Sequence, residues 1–213
     1  MASRGLENNG YLEWPVAVEY NPKPSPPNIM YSQKLEIILS EIRAVLTTVD
    51  EAEVEHLVSE LLSSRRVVGV GAGRVGMAVR AFMMRLGHFG LDAHTIGDST
   101  VPGIGAGDIC FAASGSGETQ TIVDLVTIAK KNQAKVILVT GNPDSRMGKL
   151  ADVILRVKAP SKVPGSVQLQ SIQPMTTLNE QCLGLLFDTI VLLMMEKMGE
   201  THDTMWARHS NLE

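Results

Sequence analysis

The run Ile109-Cys110-Phe111-Ala112-Ala113, followed by Ser114-Gly115-Ser116-Gly117-Glu118-Thr119, decides how the chain is read. An unbroken apolar run describes a strand buried on both faces. A helical pattern beginning near Thr121 makes 114–119 a strand-to-helix turn. Such a turn can cradle a phosphate: its glycines let backbone amides converge, the hydroxyls of Ser114, Ser116 and Thr119 add donors, and the helix N-terminus supplies positive potential. Serine and threonine also cap ordinary helices, so the turn alone leaves a simple capped junction open.

Outward from this turn, short apolar runs alternate with helical stretches. The pattern predicts strand 66–70, helix 74–88, strand 93–96, strand 108–113, helix 119–132, strand 135–140, a short helix 145–150 and strand 152–157. This alternation describes an α/β fold in which right-handed crossovers put helices on both faces of a parallel sheet. Ligands then bind at the carboxyl ends of the strands, where the glycine-rich turns fall. Two amphipathic helices precede the sheet. The first carries Leu35, Ile38, Leu39, Ile42, Val45 and Leu46 at helical spacing; the second follows Asp50, a predicted N-cap with Glu53 placed to complete a capping box. A final helix over 176–198 is apolar on nearly every side from Cys182 to Met195, which predicts burial all round and self-association. Residues 1–30 differ, with prolines at 15, 22, 24, 26 and 27 and the aromatic residues Tyr11 and Trp14; they read as an extension to a domain spanning 31–213.

Length and composition fit one globular domain of 213 residues, 44% hydrophobic. A net charge of −4 without a long basic run argues against a nucleic-acid platform. Cys110 and Cys182 fit neither a disulfide framework nor a zinc-ligand spacing and read as core residues. The eleven methionines read as adaptable packing. No signal pattern stands at the N-terminus, and the most apolar stretch, 182–195, is interrupted by Asp188 and short for a bilayer span. The expectation is a cytoplasmic protein without a membrane partner.

Gly71-Ala72-Gly73-Arg74-Val75-Gly76 matches the dinucleotide-binding fingerprint and lies between a predicted strand and helix. The acidic residue which that motif requires some 20 positions later fits poorly. Asp92 precedes the second strand, and Asp98 falls beyond its end. A nicotinamide site also leaves the hydroxyl-rich turn at 114–119 without a purpose.

Taken together, Gly71 to Arg74, Arg85-Leu86-Gly87-His88, Ser114 to Thr119, Asn142-Pro143, Gln173-Pro174-Met175, Glu180-Gln181 and the terminal Ala207-Arg208-His209-Ser210-Asn211-Leu212-Glu213 carry a resemblance. From about residue 32 onward the chain resembles the SIS (sugar isomerase) domain family, and within it the 6-phospho-3-hexuloisomerases. Three positions depart from the expected pattern: Val75 in place of a small hydroxyl residue, Gly141 in place of a serine, and Asn179 in place of an aromatic.

The resemblance implies a three-layer αβα sandwich around a five-stranded parallel sheet with flavodoxin-like topology, a homotetramer, and no cofactor or metal. The implied reaction interconverts D-arabino-3-hexulose 6-phosphate and fructose 6-phosphate through an enediolate. The chemistry needs a phosphate grip, a base and a stabiliser of the developing oxyanion. Gly73, Arg74, Ser114, Ser116, Gly117 and Thr119 are the expected substrate-binding residues.

Glu180 is the expected base. Apolar Leu183, Phe187 and Val191 follow on its side of the helix, and low dielectric would raise its proton affinity against the opposing helix dipole. A glutamate in a first turn more commonly just complements the dipole, and Asp188 is the rival carboxylate. Arg74, a cation in a first helical turn, suggests an anionic partner. His88 is expected to shuttle protons in a neighbouring subunit's site, with His209 as the second candidate; a histidine at a helix C-terminus also interacts with the dipole. The tail can equally be a docked strap in which Arg208 and Glu213 make intersubunit ion pairs. Two alternatives to a hexuloisomerase remain: an isomerase of another sugar phosphate, and a non-catalytic sugar-phosphate sensor.

Overall fold

The computed structural model describes residues 30–161 and 169–212. The proline-rich extension up to residue 29 and Glu213 lie outside them. In chain order the elements are α1 (Tyr31–Leu46), α2 (Glu51–Ser63), β1 (Arg66–Val70), α3 (Gly73–His88), β2 (Ala93–Thr95), β3 (Asp108–Ala113), α4 (Gln120–Lys131), β4 (Lys135–Thr140), β5 (Val153–Arg156), α5 (Thr177–Met198) and α6 (His202–Trp206). The five strands pair in parallel in the order β2-β1-β3-β4-β5, the flavodoxin-like arrangement. Ligand binding is expected where the order reverses, outside the carboxyl ends of β1 and β3.

Side chains of β3 alternate between two cores. Ile109, Phe111 and Ala113 join the core under α1, α2, α3 and α5, whereas Cys110 and Ala112 face α4. Phe111 meets Phe82 of α3 at 5.2 Å and Phe187 of α5 at 5.5 Å, and the two helical rings stack at 4.9 Å. This triad fixes α3 and α5 against the central strand. Both cysteines are buried, as expected, and burial pushes each thiol up to about 12.

Three expectations are corrected, and one element is added. Residues 145–150 form turns rather than a helix, because the Met147 N–H bonds the carbonyl of Gly117 instead of continuing a ladder. Asp50 does cap α2, accepting from the N–H groups of Ala52 and Glu53, but the Glu53 carboxylate accepts from the Arg156 N–H at 2.7 Å and so does not close a capping box. The final helix, 22 residues from Thr177, is long and apolar enough by length and composition to cross a membrane. It is also not buried all round. Cys182, Leu183, Phe187 and Ile190 enter the core while Leu185, Asp188 and Leu192 are exposed. Lastly, the tail contains α6, a short helix the periodicity did not reveal.

Candidate active site

Three segments meet at the carboxyl ends of β1 and β3: the start of α3, the turn 114–119, and residues 174–180 leading into α5. Gly73, Arg74, Ser114, Ser116, Thr119, Thr176, Asn179 and Glu180 line one cleft of about 470 Å³. Most of the expected site residues are therefore brought together from distant parts of the chain. Gly117 belongs to the turn but shapes it from behind.

The turn is held by its own hydroxyls and by the segment after β4. Ser114 is buried, its Oγ accepting from the Gly117 N–H at 3.2 Å and lying 3.4 Å from Thr119 Oγ1. Ser116 Oγ accepts from the Glu118 N–H at 3.2 Å. Gly117 has φ +65°, and a Cβ there would stand 1.9 Å from Ser145 Oγ, so only glycine fits. The carbonyls of Gly115, Ser116 and Gly117 accept from Gly141 N–H at 3.1 Å, Asn142 Nδ2 at 3.2 Å and Met147 N–H at 3.2 Å. Oxygens that would repel an anion are thus engaged elsewhere, while the Ile122 and Val123 amides share the Thr119 carbonyl and leave those of Gln120 and Thr121, at the start of α4, without an intrahelical acceptor.

Glu118 is turned to the outside. Its carboxylate takes the Arg146 Nε at 2.5 Å and the Arg146 N–H at 2.8 Å, and this contact holds its carboxyl below the usual range. Arg146 also reaches Gln120 and the Glu118 carbonyl, both at 2.8 Å. The negative charge inside the turn is thereby kept from competing with a bound anion. Sequence reading missed Arg146, although Asn142-Pro143 marked the segment that carries it.

At the opposite wall, Arg74 Nε lies 2.8 Å from Glu180 Oε2, and Thr176 Oγ1 donates to Glu180 Oε1 at 3.0 Å. The Glu180 side chain is only 14% exposed, yet its immediate neighbours are a cation and a hydroxyl. Leu183, Phe187 and Val191, expected on its side of the helix, are buried in the core, and what the carboxylate oxygens themselves meet is Arg74 and Thr176. Asn179, which departs from the family pattern, is buried with its Nδ2 3.0 Å from where a Cβ on Gly115 would lie. It packs the base of Glu180 against the phosphate turn. Val75 lines the same cleft.

His88 is not in this cleft. It ends α3, roughly 20 Å from Arg74 at 1.5 Å per residue. Arg85 Nη1 lies 3.2 Å from His88 Nδ1; a guanidinium only donates, so Nδ1 accepts and a neutral ring carries its proton on Nε2. The tail docks here. Arg208 Nη1 donates to the His88 carbonyl at 3.0 Å, and the His88 and His209 rings stand 5.2 Å apart. Arg208 pairs with Glu200 of its own chain at 3.0 Å. Asp188, the rival carboxylate, is exposed on α5 and does not enter the cleft.

The dinucleotide reading fails on position. Asp92 precedes β2 and binds Arg66 and His94, each at 2.6 Å, at the wrong end of the strand, and Asp98 pairs with Arg80 at 2.8 Å. The glycines have a packing reason: a Cβ on Gly76 would lie 2.5 Å from the Gly71 carbonyl, so they let α3 close onto β1.

Known proteins resemble this chain over most of its length. The SIS domain model matches residues 60–185. A 3-hexulose-6-phosphate isomerase of Bacillus subtilis is 38% identical over 176 residues, covering 83% of this chain and 95% of that protein. One from Mycobacterium gastri is 35% identical, covering 85% of this chain and 91% of that one. The solved structure of MJ1247 from Methanococcus jannaschii, for which a 3-hexulose-6-phosphate isomerase function is inferred, superposes with a TM-score of 0.74 at 24% identity, covering 85% of this chain and 99% of that one. This last likeness is one of fold.

Proposed function

The chain belongs to the SIS domain family, and from that premise we propose that it is a sugar-phosphate isomerase interconverting D-arabino-3-hexulose 6-phosphate and fructose 6-phosphate. One observation carries the reading beyond the relatives' names: a carboxylate, Glu180, shares a single cleft with a hydroxyl-rich phosphate turn. In this reading the phosphate sits on Ser114, Ser116, Thr119 and the N-terminus of α4. Glu180 takes the C2 proton next to the C3 carbonyl, an enediolate spans C2 and C3, and the proton returns to C3 while the hydroxyl proton passes from O2 to O3. Arg74 shifts part of its charge from Glu180 to the developing oxyanion, a preorganised cation acting where negative charge appears.

Transfer between O2 and O3 needs a second group. We assign it to the partner subunit's His88, because a chain's own His88 lies at the far end of α3. This makes the enzyme an obligate oligomer, a homotetramer in the family pattern, located in the cytoplasm and requiring no cofactor. Leu185, Leu192 and Leu193, exposed on α5, support association between copies.

The test is a panel of phosphorylated ketoses and aldoses offered to the purified protein, with fructose 6-phosphate formation followed. Turnover confined to the 3-hexulose supports the reading. Turnover of a pentose or other sugar phosphate reassigns the substrate, and binding without turnover makes the protein a sensor.

A further inference from the structure

Pro174 and Met175 wall the cleft, yet the reaction as described gives them no task. What holds the chain leading into this wall comes from α1. Glu41, in the second half of α1, accepts from Ser171 Oγ at 2.7 Å, from the Ile172 N–H at 2.9 Å and from Gln173 Nε2 at 2.9 Å. Ser171 Oγ in turn accepts from the Gln173 N–H at 3.0 Å, so one carboxylate gathers the polar groups of three consecutive residues. Burial pushes the Glu41 carboxyl up, but the bonds from Ser171, Gln173 and Ile172 together hold it below the usual carboxylate range.

The residues that follow need such an anchor. Met175 is 90% exposed and has φ +56°, a left-handed conformation that a side chain of its size adopts only when both flanks are fixed. Downstream, the Pro174 carbonyl accepts from Thr177 Oγ1 at 2.7 Å, which ties the chain to the start of α5. Upstream, the fixed flank is the triple contact to Glu41. Between the two ties stands Thr176, whose hydroxyl holds Glu180 Oε1 at 3.0 Å.

We propose that Glu41 is a positioning residue of the active site: by clamping 171–173 it sets the 174–176 wall and, through Thr176, the orientation of the Glu180 carboxylate. The catalytic half of this inference rests on the isomerase reading. Glu41 touches neither substrate nor phosphate turn, so its removal acts on the placement of the base and leaves the phosphate grip intact.

The experiment compares wild type with Glu41→Ala, Glu41→Gln, and the double variant Ser171→Ala/Gln173→Ala, which approaches the same contact from the loop and leaves α1 untouched. Each is assayed for kcat and KM with 3-hexulose 6-phosphate, for inorganic phosphate affinity, and for hydrogen–deuterium exchange at 171–180. The expected result for Glu41→Ala is a tenfold or greater fall in kcat with phosphate affinity within twofold of wild type, and faster exchange at Ile172 to Thr177. Glu41→Gln, which keeps one acceptor oxygen, should recover part of kcat. Combining Glu41→Ala with the loop variant should cost no more than either alone, as for groups sharing one interaction. Unchanged kcat in a folded Glu41→Ala protein, or strictly additive losses, would overturn the proposal. If wild type turns over no ketose phosphate, the isomerase reading fails; exchange at 171–177 then decides the clamp by itself, and equal exchange in wild type and Glu41→Ala removes it.

Discussion

Arg74 and Glu180 stand 2.8 Å apart, one at the start of α3 and the other in the first turn of α5. Each occupies a place that the other explains. A cation in a first helical turn is opposed by the helix dipole and needs an anion, and a carboxylate inside a cleft needs a donor. The pair also reshapes the chemistry expected from sequence. The proposed base is oriented by Arg74 and Thr176 rather than surrounded by hydrocarbon, and in the proposed reaction substrate oxygens draw the guanidinium towards themselves as Glu180 takes the proton.

Replacing Glu180 with glutamine keeps the shape and removes the proposed base. We expect kcat to fall about 10²–10⁴-fold, the range typical of a general base, while affinity for inorganic phosphate stays near wild type. Loss of exchange between the substrate C2 proton and deuterated solvent, followed by NMR, checks this. Retained exchange would move the base to another residue.

Ser116→Ala leaves the Glu118 N–H without its acceptor and takes one hydroxyl from the phosphate turn. A hydrogen bond to a charged group is worth about 1.5–3 kcal/mol, so phosphorylated ligands should weaken roughly 10- to 100-fold. Unphosphorylated analogues should be nearly unaffected. Calorimetric titration of both classes distinguishes the two, and equal weakening would take Ser116 out of the phosphate site.

Phe82 ties α3 to β3 and α5 through its ring contacts at 5.2 and 4.9 Å. Truncation to alanine should destabilise the fold by about 3–5 kcal/mol, the usual cost of a buried Phe→Ala change. Because α3 carries Arg74 and α5 carries Glu180, kcat should also fall in the fraction that remains folded. Denaturant unfolding combined with activity per folded molecule measures both, and a loss below about 1 kcal/mol would contradict the role given to the triad.

Asp108 is fully buried at the start of β3 and receives two bonds from Arg65 at 2.8 Å and one from the Gly105 N–H at 2.8 Å. The Arg65 contact holds its carboxyl below the ordinary 3.8, against the opposing effect of burial and with help from Gly105. A lowered carboxyl stabilises the fold fully above its unfolded value and loses that contribution as pH falls through the folded value. The melting-temperature advantage of wild type over Asp108→Asn should therefore be constant from pH 7 to about 5 and shrink below 3.8. An advantage that grows on acidification would reverse the sign assigned here.

Much of the sheet was legible because its strands announce themselves. Runs such as Ile109 to Ala113 and Val136 to Val139 are buried on both faces, so apolar continuity and position coincide. The segment 145–150 was misread because its backbone is claimed by a distant carbonyl, that of Gly117, which no local pattern records. Glu53 was misassigned for the same reason, its carboxylate being taken by Arg156 at the end of β5. Arg146 and Glu41 were missed altogether, since a charged residue on an exposed helix or turn looks alike whether it anchors a loop or only meets solvent.

By itself, the sequence determined the parallel α/β fold and the hydroxyl-rich turn at 114–119, because glycine spacing, hydroxyl content and hydrophobic period are local properties of the backbone. Only the tertiary structure decided what Glu180 faces, the guanidinium of Arg74 beside the hydroxyl of Thr176, and that the wall next to it is held from α1 by Glu41. The Arg74–Glu180 and Glu41–Ser171 contacts join segments far apart in the chain, and electrostatic environment depends on such distances, which appear only once the sheet has brought the segments together.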